Sequence, residues 1–167
     1  MTRLLILWLL SEGPLHGYRI KKILDEPSLR FWFPLEVGSI YAVIGSLARN
    51  GYIASEAVER EGLRPERTRY RITKEGRDHF QGLLRQAWRD LPKIADPVNV
   101  ALAARSELSE EEVRLLLGER AEALKAQLEE VARMASSAPD PEMSSRRAGL
   151  IRAEMEWAYC FLKAKGD

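Results

Sequence analysis

Seven consecutive residues, Arg67-Thr68-Arg69-Tyr70-Arg71-Ile72-Thr73, alternate charged or polar side chains with Thr, Tyr and Ile. That is the period of a half-buried strand. A second segment of strand character, Tyr52 to Val58, lies just upstream, and Glu59 to Glu66 joins the two through Gly62 and Pro65. The pair reads as a hairpin with a long charged loop. What surrounds this hairpin decides the fold.

Before it, apolar residues recur at helical spacing. Thr2 to Ser11 predicts a short first helix, closed by Gly13-Pro14. A second helix starts near His16-Gly17 and runs to about Glu26, with Pro27-Ser28 as its stop. Residues 28 to 37 hold Phe31, Trp32, Phe33 and Pro34 and read as a bulky connector. A third helix spans about Gly38 to Asn50, with Ile40, Val43, Ile44 and Leu47 on one face. Asn50-Gly51 is a good stop, because both residues tolerate the left-handed conformation at a helix C-terminus. After the hairpin, Thr73 opens a helix whose Phe80, Leu83, Leu84, Ala87, Trp88 and Leu91 share a face, and Pro92 ends it. The order is helix, helix, helix, strand, strand, helix. This is the order of a winged helix-turn-helix domain, in which the third helix enters a DNA major groove and the hairpin is the wing.

The remaining residues are helical. Asp96-Pro97 starts a short helix to about Arg105. Ser109 and Glu112 form a capping box, the Ser capping the helix and the Glu reaching back to the Ser amide. Val113, Leu117, Ala121, Leu124, Leu128, Val131 and Ala135 then make a seam like that of a coiled coil, about 35 Å long. A turn at residues 136–141 leads to a last helix carrying Ala148, Ile151, Met155, Ala158 and Leu162, with Leu150, Trp157 and Phe161 widening the stripe. The two long helices make an antiparallel hairpin, with more apolar surface than a small domain needs. The predicted fold class is therefore mainly α: a winged helix-turn-helix DNA-binding domain over 1–91, then an all-helical dimerisation domain over 92–167.

Leu4 to Leu10 is an unbroken apolar run behind Arg3. No small-residue cleavage site follows it, and it is too short to span a bilayer, which takes about 20 residues. A buried helix is expected, apolar all round and so covered on several sides. This suggests a partner surface beyond its own core. Cys160, the one cysteine, can form neither an intrachain disulfide nor a multi-cysteine zinc site. A reducing cytoplasm fits best, with no membrane contact, metal or cofactor expected.

The net charge is +1, which excludes a strongly cationic DNA-coating protein and an acidic disordered chain. The charge is nonetheless unevenly placed. Residues 1–90 hold 15 basic and 11 acidic side chains, and residues 91–167 hold 11 and 14, so the halves carry +4 and −3. Between Arg60 and Arg77 seven residues are basic and three acidic. A solvated hairpin edge would carry such charge. So would a wing meeting phosphate, and the three preceding helices favour the wing. In the third helix Arg49 is the one charged residue, with Ser39, Tyr41 and Ser46 as its polar contacts. Hydroxyls there can bond phosphates or bases.

Four segments, in order and spacing, resemble the PadR family of bacterial transcriptional regulators. Leu4 to Leu10 followed by Gly13-Pro14-Leu15-His16-Gly17-Tyr18-Arg19-Ile20 is similar to that family's first helix and signature. Gly38-Ser39-Ile40-Tyr41 resembles the start of its recognition helix. Leu47 to Ile53 resembles the end of that helix and the entry to the wing. Arg67 to Arg77 resembles the wing's return strand and the next helix cap. The match covers about residues 3 to 80. Ala42 departs from it, since the family usually has proline after the tyrosine, and this bears on operator preference.

The resemblance implies a homodimer whose C-terminal helices pack on the partner's first helix. It also implies a repressor of a pseudo-palindromic double-stranded operator, often released by a small hydrophobic or phenolic effector. The residues assigned to DNA are His16, Tyr18, Gly38, Ser39, Tyr41, Ser46, Arg49, Arg64, Arg67 and Arg69. Trp8, Trp88 and Trp157 are candidates for an effector pocket, with core packing as the plainer alternative. An enzyme is not expected: His16 and His79 are the only histidines, and no phosphate loop, dinucleotide fingerprint or serine elbow is present. A winged helix that contacts an acidic protein instead of DNA remains the alternative.

Overall fold

Gly13-Pro14 stops the first helix and turns the chain back against its own later strand. In the computed structural model, which describes residues 1–35, 40–56, 68–91 and 96–164, α1 is Thr2–Glu12, followed by β1 (Leu15–His16), α2 (Gly17–Leu24), α3 (Pro27–Trp32), α4 (Ile40–Arg49), β2 (Ile53–Glu56), β3 (Arg69–Ile72) and α5 (Lys74–Arg89). The chain then continues through α6 (Pro97–Ala103), α7 (Glu110–Met134) and α8 (Pro141–Lys163). It divides into two compact units, Met1–Pro92 and Lys93–Asp167.

In the first unit the sheet is antiparallel, in the order β1-β3-β2. Ile53 stands opposite Ile72, and Glu56 opposite Arg69. Both isoleucines are buried, so the two-residue period leaves Ala54, Glu56, Arg69 and Arg71 on the outer face. The strand β1 was not expected from sequence. It is two residues long, pairing Leu15 with Tyr70 and His16 with Arg69, and too short to display any alternation.

A second correction concerns the connector, which contains a helix. Pro27 does not merely stop α2. It occupies the first turn of α3, where its missing N–H costs nothing and its fixed φ suits a helix. The helix α4 ends as expected. Gly51 has φ 73°, its N–H bonds the Ala48 carbonyl, and the Tyr52 N–H bonds that of Leu47. Those two bonds are a Schellman motif.

The run Leu4 to Leu10 packs into the core of this unit. Helix α1 packs against α4, α5 and β3. Leu5, Ile6, Leu7 and Leu10 are buried, and Trp8 and Leu9 pack against the same core as Ile20, Leu24, Ile44, Leu47, Ile53 and Ile72. Leu4, Trp8 and Leu9 remain half-buried within this unit. The face of α5 is only half used. Phe80 and Leu83 pack on the core, whereas Trp88 is 90% exposed and Leu91 87%.

In the second unit α7 and α8 pack along their lengths. Leu117, Ala121 and Val131 of the expected seam are buried against Ala148, Ile151 and Ala158. Three helices begin on side-chain caps: Asp96 accepts from the Val98 N–H, Ser109 from that of Glu112, and Asp140 from that of Glu142. The expected return bond from the Glu112 side chain to the Ser109 amide is absent among the described residues. Arg120 of α7 ties the three helices together, bonding Glu154 of α8 at 2.8 Å and Asp96 at 3.2 Å.

Candidate nucleic-acid interface

Helix α4 exposes Tyr41, Ala42 and Arg49, with half-buried Gly45 between them. These positions fall on one side because four residues make about one turn. The side is smooth in its middle and polar at its ends. The Arg49 guanidinium lies back toward Gly45, where a Cβ would meet Nη1 at 3.4 Å. Ser46 lies one turn beyond Ala42 and is half-buried. Together with Ala42 it lines a groove whose other walls include Thr2 and Leu4 of α1 and Leu83 of α5.

Two elements converge on the first turn of α4. Gly17 opens α2, and its bare Cα makes room for aromatic rings. A Cβ there would stand 3.4 Å from the Tyr70 ring and 3.6 Å from that of Tyr41. Tyr18 and Tyr41 are 48% and 54% exposed and line one shallow cleft with Lys21, Lys22, Asp25 and Glu26. Lys21 and Lys22 were not singled out from sequence. The signal for them in the sequence is two adjacent cations in the last turn of the second helix. His16 caps the start of α2 in extended conformation, and its ring stacks on Tyr18 with centroids 5.7 Å apart. His16 Nδ1 is buried without a hydrogen-bond partner, so only Nε2 could meet a ligand.

On the outer face of the sheet Glu56 stands between two arginines. Its carboxylate is 3.3 Å from Arg71 Nε and 4.0 Å from Arg69 Nε. Arg71 thus takes most of the acid, and Arg69 keeps a largely uncommitted charge beside His16. Gly38, Ser39, Arg64 and Arg67 lie outside the described residues.

Of the three tryptophans proposed for a pocket, Trp8 and Trp88 belong to the first unit and Trp157 to the second. Trp8 packs in the core of the first unit against Phe33, with centroids 6.3 Å apart. Trp88 stands exposed near the end of α5. Trp157 lines an apolar cleft of about 240 Å³ within the second unit. Among the described residues no cluster of His, Cys, Asp or Glu could hold a metal ion, and no helix is long and apolar enough to cross a membrane.

Residues 6–82 match the model of the transcriptional regulator PadR-like family. No curated protein matches the chain. Bacillus subtilis PadR in complex with operator DNA is similar over 96% of each chain, at 22% identity and a TM-score of 0.73. The same protein in complex with p-coumaric acid is similar at 21% identity, over 96% of this chain and 92% of that one, with a TM-score of 0.73. A PadR-like transcriptional regulator from Bacillus cereus is similar at 19% identity, over 98% and 97% of the two chains, with a TM-score of 0.66. At these identities the likeness of structure establishes the winged-helix fold. Residues 6–82 are a PadR-like family domain, and solved PadR-family regulators share the fold of the chain over nearly its whole length.

Proposed function

We propose that the chain is a cytoplasmic, dimeric repressor that recognises a pseudo-palindromic operator. In this reading residues 1–91 bind DNA and residues 92–167 dimerise. The observation that carries it is the α4 face, where Tyr41 and Arg49 flank the small residues Ala42 and Gly45. Such a face can approach base edges closely. The phosphates on either side would meet Tyr18, Lys21 and Lys22 on α2, and Arg69 and Arg71 on the sheet. Arg64 and Arg67 join the wing on sequence grounds, and Gly38 and Ser39 the start of the recognition helix. That a solved relative was crystallised with operator DNA supports the assignment.

Dimerisation rests on apolar surface that the second unit leaves uncovered: Leu115 is 63% exposed and Leu150 54%. Surfaces of that kind on paired helices mark protein contacts. An isologous dimer would present two α4 helices to half-sites about 10 bp apart. Release by a small apolar or aromatic effector is the remaining part of the reading. It draws on the relative crystallised with p-coumaric acid.

The test is selection of operator sequences from random DNA, with mass measured by light scattering. A salt-dependent complex of two chains with a pseudo-palindrome is expected. Ala at Tyr41 should change operator and random-DNA affinity unequally, and Ala at Arg69 should lower both alike. A 19.0 kDa species at micromolar concentration, or no affinity for any duplex at low salt, refutes the reading. The second outcome would leave the wing to an acidic protein partner.

A further inference from the structure

A helix seated in a major groove about 12 Å wide has a phosphate backbone on each side, so phosphate contacts are expected on both flanks of α4. The cations assigned above reach it from one flank. Lys21 and Lys22 share a cleft with Tyr41, and Arg69 stands opposite His16, which opens α2. The other flank is the groove that Ala42, Val43 and Ser46 form with the start of α1 and the end of α5. Ala42 is exposed on the proposed recognition face and also lines this groove. The two surfaces are therefore continuous.

The groove holds about 620 Å³, and its chemistry is uneven. Leu4, Val43 and Leu83 are half-buried and give it an apolar floor. Thr2 and Ser46 add hydroxyls. Arg3 is the one basic side chain among the residues that line it, and Asp90 the one acid. Arg3 is exposed and makes no ion pair among the described residues, so its guanidinium is uncommitted. A sugar–phosphate backbone matches this lining, with sugar carbons over the floor and a phosphate on the guanidinium and hydroxyls. We propose that Arg3 binds a backbone phosphate of the operator strand on this flank, beside the Thr2 and Ser46 hydroxyls. The inference rests on the DNA-binding reading above and extends its footprint to α1. A contact of this kind carries no base information. It raises affinity for any duplex and fixes how α4 sits between the two backbones.

The experiment is fluorescence anisotropy of the full chain on the selected operator and on a scrambled duplex, at several salt concentrations. Arg3→Gln should weaken both complexes alike, by about three- to ten-fold at low salt, and flatten the salt slope by about one unit. Arg3→Lys should keep affinity and slope. Ser46→Lys places a second cation in the groove. It should strengthen both complexes and steepen the slope by about one unit, a gain that misfolding cannot produce. Unchanged affinity in R3Q or in S46K, where Arg69→Gln does weaken binding, overturns the proposal and leaves the DNA-binding reading standing. A loss in R3Q confined to the operator also overturns it, because Arg3 would then be reading bases. No affinity of the parent chain for any duplex refutes the reading and the proposal together.

Discussion

Gly76 lies against the main-chain carbonyl of Tyr52. A Cβ built on Gly76 would overlap the Tyr52 oxygen and stand 2.8 Å from its carbonyl carbon and 2.9 Å from Ile72 Cγ1. The same carbonyl accepts the Thr73 N–H at 3.1 Å. The Thr73 hydroxyl lies 2.7 Å from the Gly51 oxygen and in turn caps α5 by accepting the Gly76 N–H at 2.9 Å. The residues that end α4 are thereby fastened to the residues that begin α5, with the sheet between them.

Gly76→Ala should therefore destabilise the protein although Ala is the better helix former. Backbone cannot move aside as a flexible side chain would, so the overpacking penalty is expected near the top of its usual range, about 3 kcal/mol. The intrinsic helix gain of about 1 kcal/mol does not offset it. Urea unfolding monitored by circular dichroism measures the difference. An unchanged midpoint would mean that the Tyr52 peptide can relax and that the junction is not tight.

Glu56 is expected to hold DNA affinity down. It takes the charge of Arg71 and part of that of Arg69, and its own carboxylate faces the side where phosphate is proposed to lie. Glu56→Gln keeps the shape and removes the charge. Affinity for operator and random DNA should rise together, by about three- to ten-fold at low salt, with a steeper salt dependence. Fold stability should change by less than about 1 kcal/mol, since both pairs are exposed. Fluorescence anisotropy at several salt concentrations reads this. An affinity that stays put would take the sheet face out of the DNA interface.

Arg120 should matter to α6 more than to the unit as a whole. Without it, Asp96 and Glu154 are left half-buried with their main cation gone. Arg120→Met preserves bulk while removing the three bonds. The expected cost is about 1–2 kcal/mol, accompanied by faster amide exchange over residues 99–103. Uniform acceleration along α7 and α8 would instead show that Arg120 holds the long hairpin itself.

The parts legible in the sequence are those with a repeated pattern or strong local chemistry. The turn at Asn50-Gly51, the caps at Thr73, Ser109 and Asp96, and the α7 seam all state their conformations within a few residues. The strand β1 does not, because two residues have no period and Leu15–His16 become a strand only when Arg69 and Tyr70 arrive from far along the chain. The α3 helix is not legible because Pro27 suits the end of one helix and the beginning of the next equally. At the site, Tyr18, Tyr41 and Arg69 could be named from sequence. The groove that Ser46 shares with Ala42 depends on which side of α4 meets α1. The Glu56 bridge depends on strand register, and the cleft at Trp157 on three helices that no local pattern brings together.

Gly45 offers the sharpest separation of stability from function. It sits in the middle of α4, where glycine costs about 1 kcal/mol relative to Ala, and its surroundings do not require it. An added Cβ meets only Arg49 Nη1, at 3.4 Å, the far end of a side chain that can swing away. Ala at this position should therefore raise stability by about 0.5–1 kcal/mol. If the α4 face works by close approach to base edges, a methyl group at its centre should weaken operator binding while leaving random-duplex binding, which rests on phosphate contacts, nearly unchanged. Gly45→Leu should deepen the loss. The two affinities are measured by anisotropy on the selected operator and on a scrambled duplex, with urea midpoints alongside. A stabilised variant with full operator affinity would move the recognition surface off this face of α4.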